Sequence, residues 1–407
     1  MDRTPITIAG QRSTSGHPLE SVSATSAGAR SLYVHVPFCF HKCHYCDFYS
    51  IVDSRDRQEP FTERLMRELE AISPYAGPLA SVFVGGGTPT LLRPDLWRWL
   101  LSTMHERFDL ANAEFTVECN PETASAELFD VLVGGGVNRL SIGAQSFNTN
   151  HLETLERWHD PDNVERSVEL ARAAGIDRQS IDLIFAVPGQ TLAEWRSDLD
   201  HALGLGASHL SCYALTYEPN TAMTTRLRRG DFEPADEDLE ADMLECTLGT
   251  LRSAGYERYE VSNYARPGDE CRHNLAYWRQ DEWLAAGPSA SGHFAGWRWK
   301  NAPKLEPYLR ESADGGRPPV VDAEAPDSAR ALAERLMTGL RLREGIERQA
   351  VLRDAAAIDA DLPQQLIAEA ESHERRGHLV VDGDRWRLTD TGIMLADGIA
   401  SAFMMRI

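Results

Sequence analysis

The sequence is short of three things. It has no unbroken apolar run of about 18 residues, the length a membrane-spanning helix needs. It lacks the evenly paired cysteines of a disulfide framework: there are seven, and three of them fall within eight positions. It also has no surplus of positive charge. The 41 Lys plus Arg against 62 Asp plus Glu leave a formal charge of −21. A broadly basic surface for nucleic acid or anionic lipid is therefore excluded, and no nucleic-acid partner is expected. What is present is a 407-residue chain, 42% hydrophobic and 25% charged. That is ordinary for a globular protein and enough to bury a core without covalent staples. Residues 1–29 are rich in Ser, Thr, Ala and Gly, lack the apolar run of a secretory signal, and read as a disordered tail. A reduced, cytoplasmic setting is the expectation.

Beyond the tail, short β-prone runs alternate with longer helical ones. Ser31–Val36, Ser81–Val84, Phe115–Cys119, Leu140–Gly143, Ile181–Phe185 and Leu210–Tyr213 read as strands. Phe61–Ile72, Pro94–His105, Ala124–Val133, Asp162–Ala174 and Leu192–Leu203 read as helices, with Gly175 and Gly204 as stops for the last two. This alternation predicts βαβ units and a parallel sheet, open or curved into a full or partial barrel. An acidic helix follows from about Pro234 to Ala254, with Leu239, Met243, Leu244 and Leu248 as its apolar face. Tyr259–Ser262 reads as a strand. Residues 263–307 look irregular, and a loop that long points to a functional element or an unrecognised strand. Helix returns at Leu332–Leu342. Then come a helix at Pro363–His373, β runs at Leu379–Val381 and Trp386–Leu388, and a last helix from about Thr391. That outline is winged-helix-like. In an acidic chain without an Arg-rich recognition helix, it reads as a packing or partner domain.

The sharpest signal is Cys39-Phe-His-Lys-Cys43-His-Tyr-Cys46. Three thiolates this close need a soft centre between them, either zinc or an iron–sulfur cluster. Zinc wants a fourth ligand. His35, His41 and His44 are near, but none continues a structural-finger spacing. A [4Fe–4S] cluster on three cysteines leaves one iron open for chemistry, and the spacing suits it better. The run Gly85-Gly86-Gly87-Thr88-Pro89 follows an apolar strand, at the strand end where barrel sites are built.

From Tyr33-Val-His-Val-Pro-Phe-Cys39 through Cys46-Asp-Phe48, the chain resembles the radical S-adenosylmethionine superfamily. The branch is that of oxygen-independent coproporphyrinogen III oxidases and the related haem chaperones, and the likeness runs from about Ser31 nearly to the C-terminus. It implies an α/β fold, a partial (β/α)6 barrel followed by a C-terminal α+β, winged-helix-like domain. The implied divisions are a tail over 1–29, a barrel over 30–233, a region of acidic helix and haem-associated linker over 234–325, and the C-terminal domain over 326–407. It implies a [4Fe–4S] cluster on Cys39, Cys43 and Cys46, whose open iron is chelated by the amino and carboxyl groups of S-adenosylmethionine. The implied pocket is Tyr33, Tyr45, Gly86, Gly87, Thr88, Glu118, Gln145, Arg157, Asp182 and Ala214. In it, Glu118 and Asp182 accept from ammonium and ribose hydroxyls, Gln145 donates and accepts, and Arg157 pairs with the carboxylate.

Small features separate the two members of that branch. The oxidases resemble C-x3-C-x2-C-x-C, and Phe48 stands where the extra cysteine would be. The chaperones resemble Cys271-Arg-His-Asn-Leu-Ala-Tyr-Trp278, the pattern H-N-x-x-Y-W. There His273 is the candidate axial ligand of haem, Tyr277 and Trp278 lie against the porphyrin face, and Cys271 is a second attachment point. One departure follows: Gly287-Pro-Ser-Ala-Ser-Gly292 replaces the relatives' Gly-Ala-Gly-Ala-His, with His293 nearby as a substitute. The expected function is a haem chaperone with a [4Fe–4S] cluster, S-adenosylmethionine and haem. Its expected partners are an apo-haemoprotein acceptor, an electron donor, transient contact with a membrane-bound acceptor, and a second copy in a homodimer. The alternatives are a radical porphyrinogen decarboxylase and a zinc-binding interaction protein.

Overall fold

A computed structural model describes residues 17–23, 28–310 and 316–407. Its main body alternates strand and helix: β1 Ala29–Val36, α1 Gln58–Ile72, β2 Ala76–Gly86, α2 Pro94–Arg107, β3 Glu114–Cys119, α3 Ala126–Gly134, β4 Arg139–Gln145, α4 Asp162–Ala174, β5 Arg178–Phe185, α5 Leu192–Gly204 and β6 His209–Ala214. These are the six strands and five helices that the sequence pattern predicts. The order β1-β2-β3-β4-β5-β6 is parallel throughout.

Each strand is apolar on one face and polar on the other. Leu32, Val34, Val82, Val84, Val117, Leu140, Ile142, Ile181, Leu183 and Leu210 are all fully buried, in one core with Leu65, Leu69, Trp97, Leu100, Phe129, Val164, Val168, Trp195 and Leu199 from the helices. The alternate positions carry Tyr33, His35, Ser81, Glu114, Thr116, Glu118, Arg139, Ser141, Ser180, Asp182, His209 and Ser211. Period-two alternation therefore puts the hydrophobic side under the helices and lines the opposite, concave side with hydrogen-bonding groups. Helix starts are capped locally. At α5, Thr191 and Glu194 form a reciprocal capping box, a device worth about 1 kcal/mol.

Residues 234–325 hold more regular structure than their sequence shows. After α6 (Glu237–Ser253) come β7 (Glu257–Arg258) and β8 (Asn263–Ala265), and Tyr259–Ser262 is the link between them instead of a strand. The stretch read as irregular contains the short helix α7 (Arg272–Trp278), β9 (Trp283–Ala286), β10 (Ser291–Phe294) and β11 (Trp297–Asn301), with β12 (Val320–Glu324) beyond. All six strands join the same twelve-stranded sheet, ordered β12-β11-β10-β9-β1-β2-β3-β4-β5-β6-β8-β7. β9 pairs parallel with β1, Tyr33 opposite Ala285, and supplies a seventh parallel strand. β9 was hidden because its parallel partner β1 lies far away in sequence, and the others because runs of two to five residues show no readable period.

Two more expectations are corrected. Gly175 does end α4, at φ 98°, but Gly204 stays helical and the left-handed stop of α5 is Gly206, at φ 69°. The apolar face expected for α6 does meet the core: Met243 is fully buried, Leu239, Leu244 and Leu248 pack against the same cluster, and Leu251 extends the contact. The tail is partly packed. His17 and Leu19 are buried, His17 edge-on to Trp299 and the Leu19 carbonyl accepting the Tyr75 hydroxyl at 2.8 Å. Residues 1–16 and 24–27 lie outside the described residues.

The C-terminal part has its own small core. Leu332 and Leu336 of α8 (Ser328–Gly339), Val351 of α9 (Arg348–Ile358) and Leu366 of α10 (Leu362–Arg375) close on Leu379, Trp386, Leu388 and Phe403. A three-stranded sheet accompanies them. Ile346–Glu347 pairs with Arg385–Leu388, which pairs with Leu379–Asp382, so helix and wing sit as the sequence outline predicts. No helix among the described residues is long and apolar enough to cross a membrane.

Candidate functional site at the strand ends

The three-cysteine loop leaves the C-terminal end of β1 and is tied at both ends. Phe38–Cys39 pairs with Ile51–Val52, and the Ile51 N–H donates to the Pro37 carbonyl at 2.8 Å. Within the loop, the Cys46 N–H donates to the Cys43 carbonyl at 3.2 Å, and the Met223 N–H donates to the His44 carbonyl at 2.9 Å. Cys43 is buried, and Cys39 and Cys46 are half-buried; all are free thiols. Thr88 Oγ1 lies 3.5 Å from Cys39 Sγ, and Arg157 Nη1 donates to Cys43 Sγ at 3.8 Å. Burial pushes the Cys46 thiol up to about 11 and raises Cys39, and the neighbouring thiols add to both shifts.

Among the described residues no three His, Cys, Asp or Glu side chains converge as the ligands of a single ion do. The loop histidines are engaged elsewhere. His41 stacks on Trp158 at 3.9 Å between ring centres, and His44 Nδ1 lies 3.4 Å from Arg226 Nη1. His35 Nε2–H donates to the Tyr49 carbonyl at 2.8 Å, which leaves Nδ1 to accept the Tyr33 hydroxyl at 3.0 Å. Three soft donors spaced apart, with no imidazole among them, fit a cluster that takes each thiolate on a separate iron.

The glycine run is explained by what surrounds it. A Cβ on Gly85 would stand 2.8 Å from the Glu118 carboxyl carbon, one on Gly86 would run into the His35 ring, and one on Gly87 would meet the Phe38 carbonyl at 2.7 Å. Gly86 also has φ 109°, a conformation that side chains rarely adopt. Backbone thus closes on the cysteine loop, with the Gly87 N–H donating to Val36 and the Thr88 N–H to Phe38.

Beside it the polar face presents groups from successive strands. Glu118 accepts the Gly86 N–H at 3.0 Å, and burial pushes its carboxyl up to about 7. Asp182 accepts Ser141 and Ser180 hydroxyls, each at 2.8 Å. Gln145 ends β4 at φ 65°, at a register shift, and Gly143 leaves room for its amide. A strained non-glycine residue there is a mark of functional sites. Arg157 donates from Nη2 to the Gly143 carbonyl at 2.9 Å, while its buried Nε has no partner among the described residues. Tyr45 rests on Leu155, Ile184, Val187, Leu215 and Met223, and Ala214 closes β6. An unpaired guanidinium N–H, a carboxyl held near neutrality and three free thiols fit an aminoacyl sulfonium on an iron–sulfur cluster. All ten expected pocket residues lie on this face or on the loops at its rim.

The expected haem residues sit differently. α7 plugs the lower part of the concave face. Cys271 and His273 are fully buried, the Cys271 thiol donating to Glu114 at 3.5 Å and His273 Nδ1 lying 2.9 Å from Ser81 Oγ. His273 stacks on Phe83 at 5.4 Å, and burial lowers its imidazole to about 3. Its Nε2 is buried and has no partner among the described residues. An imidazole enclosed this way offers no face to solvent in this arrangement. Tyr277 and Trp278 are half-exposed. His293 lies opposite Trp283 across β9 and β10, and Gly287 donates its N–H to buried Glu68. Sequence reasoning missed the serines of the polar face, His209 and Tyr259, although polar residues at every second strand position signal a polar lining.

Comparison with known proteins gives a consistent picture. Residues 33–202 match the radical SAM superfamily and residues 327–395 match the HemN C-terminal domain. A heme chaperone HemW of Lactococcus lactis is 34% identical over 376 residues, covering 92% of this chain and 97% of its own length. A heme chaperone HemW of Mycobacterium tuberculosis is 35% identical over 380 residues, covering 92% and 94%. The radical S-adenosyl methionine domain-containing protein 1, mitochondrial, of Danio rerio is 32% identical over 390 residues, covering 93% and 87%. Among solved structures, coproporphyrinogen III oxidase (HemN) from Escherichia coli superimposes with a TM-score of 0.82 over 96% of this chain and 93% of its own, at 23% identity. That is a likeness of fold.

Proposed function

Because the chain belongs to the radical SAM superfamily and, within it, to the family of the heme chaperones HemW, we propose that it binds haem and passes it to an apo-haemoprotein. The observation that carries this reading is likeness to those chaperones over nine-tenths of the chain and nearly all of theirs. The family implies a [4Fe–4S] cluster and S-adenosylmethionine. Cys39, Cys43 and Cys46 would hold the cluster. Glu118 would accept from the cofactor's amino N–H, Arg157 would turn its Nε to the carboxylate, and Asp182 and Gln145 would meet ribose hydroxyls. Gly86, Gly87 and Thr88 would let backbone approach, and Tyr33, Tyr45 and Ala214 would bound the pocket. When bound, the pair supplies one-electron reductive cleavage of the sulfonium.

For haem, the half-exposed Tyr277 and Trp278 are the accessible part of the H-N-x-x-Y-W string, and Cys271 and His273 support them from below. The finer expectations stand as part of the same proposal: an electron donor, a homodimer, transient contact with a membrane-bound acceptor, and a cytoplasmic location. So does the division into tail, barrel, linker and C-terminal domain at 29, 233 and 325. Phe48, largely exposed where the oxidases' extra cysteine would stand, argues against porphyrinogen decarboxylation.

The test is anaerobic reconstitution with iron and sulfide, followed by haem titration in absorbance, with Trp278→Ala and Tyr277→Ala alongside. Stoichiometric binding weakened by these substitutions is expected. Absence of specific haem binding in protein that carries its cluster, or decarboxylation of a porphyrinogen, would overturn the proposal.

A further inference from the structure

A chain of hydrogen bonds runs beneath the pocket from Asp182 to the H-N-x-x-Y-W helix, and its proton directions can be read. Ser180 Oγ–H donates to Asp182 Oδ1 at 2.8 Å. A serine hydroxyl has one proton, so its 2.8 Å contact with His209 Nδ1 is a bond that the imidazole donates. His209 Nε2 is then bare and accepts the Tyr259 hydroxyl at 2.8 Å. The Tyr259 oxygen in turn accepts an N–H from Asn274 Nδ2 at 3.4 Å. Every donor points toward Asp182. The reverse tautomer would spend the Ser180 proton on His209 and leave Asp182 Oδ1 without a donor. The second oxygen, Oδ2, is fixed independently by Ser141 at 2.8 Å.

The members of this chain are enclosed. Ser180, His209 and Ser211 are buried, and the Ser211 hydroxyl, 3.2 Å from Ser180, can occupy the remaining lone pair. Burial pushes the His209 imidazole well below its ordinary value, and the Arg139 and Arg178 guanidiniums add to the shift, so the ring is a neutral donor–acceptor. Tyr259 belongs to the link between β7 and β8 and Asn274 to α7. The chain therefore joins three parts of the molecule that are distant in sequence.

We infer that Ser180, His209 and Tyr259 are positioning residues that lock the Asp182 carboxylate in one orientation and tie it to Asn274 of the H-N-x-x-Y-W helix. The inference rests on the reading above of Asp182 as a contact of the S-adenosylmethionine ribose. It gives the asparagine of that string a role that haem contact does not require. The aromatic end of α7 faces one ligand, while its asparagine holds the far end of a bond chain that shapes the pocket of the other.

The experiment begins with the tautomer, which needs neither ligand. In protein labelled with ¹⁵N-histidine, His209 should show a protonated Nδ1 and a bare Nε2, assigned by their absence in His209→Asn. Asn274→Leu should shift the Nε2 resonance. An Nε2–H tautomer overturns the inference, and an unmoved Nε2 resonance overturns the link to α7. Equilibrium dialysis of S-adenosylmethionine with reconstituted protein then tests the consequence. His209→Leu should weaken binding about tenfold, the scale of one lost hydrogen bond. Tyr259→Phe should weaken it by a smaller factor, and His209→Asn, which keeps a donor toward Ser180, should recover most of the loss. Wild-type affinity in folded His209→Leu overturns the positioning role. Wild-type protein that shows the tautomer but binds no S-adenosylmethionine would instead remove the pocket reading and leave the bond chain standing.

Discussion

Glu118 and Gly86 are locked together across β3 and β2. The carboxylate accepts the glycine N–H at 3.0 Å, and a methyl group on the adjacent Gly85 would press on that same carboxyl group at 2.8 Å. Gly85→Ala should therefore displace Glu118 and weaken S-adenosylmethionine binding by tenfold or more. The overpacking should cost about 1–3 kcal/mol of stability. Dialysis paired with a urea midpoint measures both, and unchanged affinity would detach Glu118 from the cofactor.

The same carboxyl makes binding pH-dependent. Burial holds Glu118 up to about 7 in the empty pocket, so below that pH it carries a proton that an incoming amino N–H must displace. Affinity should fall below pH 7, with Glu118 accounting for about tenfold per pH unit of that fall. Calorimetry at pH 6 in two buffers of different ionisation heat should register proton release, and Glu118→Gln should lower it by about one proton.

Glu68 gives a stability test away from the pocket. It is fully buried and accepts from Tyr308, Asn301 and the Gly287 N–H, and burial still pushes it up to about 7. A carboxyl raised from about 4.5 in the unfolded chain binds its proton more tightly when folded. Its contribution is complete below about pH 4.5 and is lost as pH rises through 7, on the order of 3 kcal/mol. Denaturant midpoints of Glu68→Gln should lack this part of the pH slope.

For His273 the enclosed position predicts a structural effect. His273→Ala removes its packing on Phe83 and its bond with Ser81 and should cost about 2–4 kcal/mol. The axial-ligand signature of bound haem should remain. Loss of that signature in stably folded variant protein would show that α7 rearranges to expose the imidazole.

The barrel was legible because its signals are local: each βα unit carries an apolar face, a cap or a stop within its own residues. The cysteine loop and glycine run were legible for the same reason, since spacing carries their chemistry. β9, β10 and β11 were not, because what makes Trp283–Ala286 a strand is the edge of β1, and short runs such as Ser291–Phe294 have no period long enough to read. His273 illustrates the other limit. Its motif names a residue type, but only packing against Phe83 and Ser81 shows that it faces inward.

The pairing of β1 with β9 also sets an order of events in synthesis. β2 through β6 can add in turn as the chain emerges, but the other edge of β1 stays open until residues 283–286 have been made. An unpaired edge on a strand as apolar as Leu32-Tyr-Val34 is a template for the wrong neighbour. A chain stopped before β9 should therefore be recovered mainly as aggregate. Addition of β9, and then of β10, β11 and β12, moves the open edge away from β1.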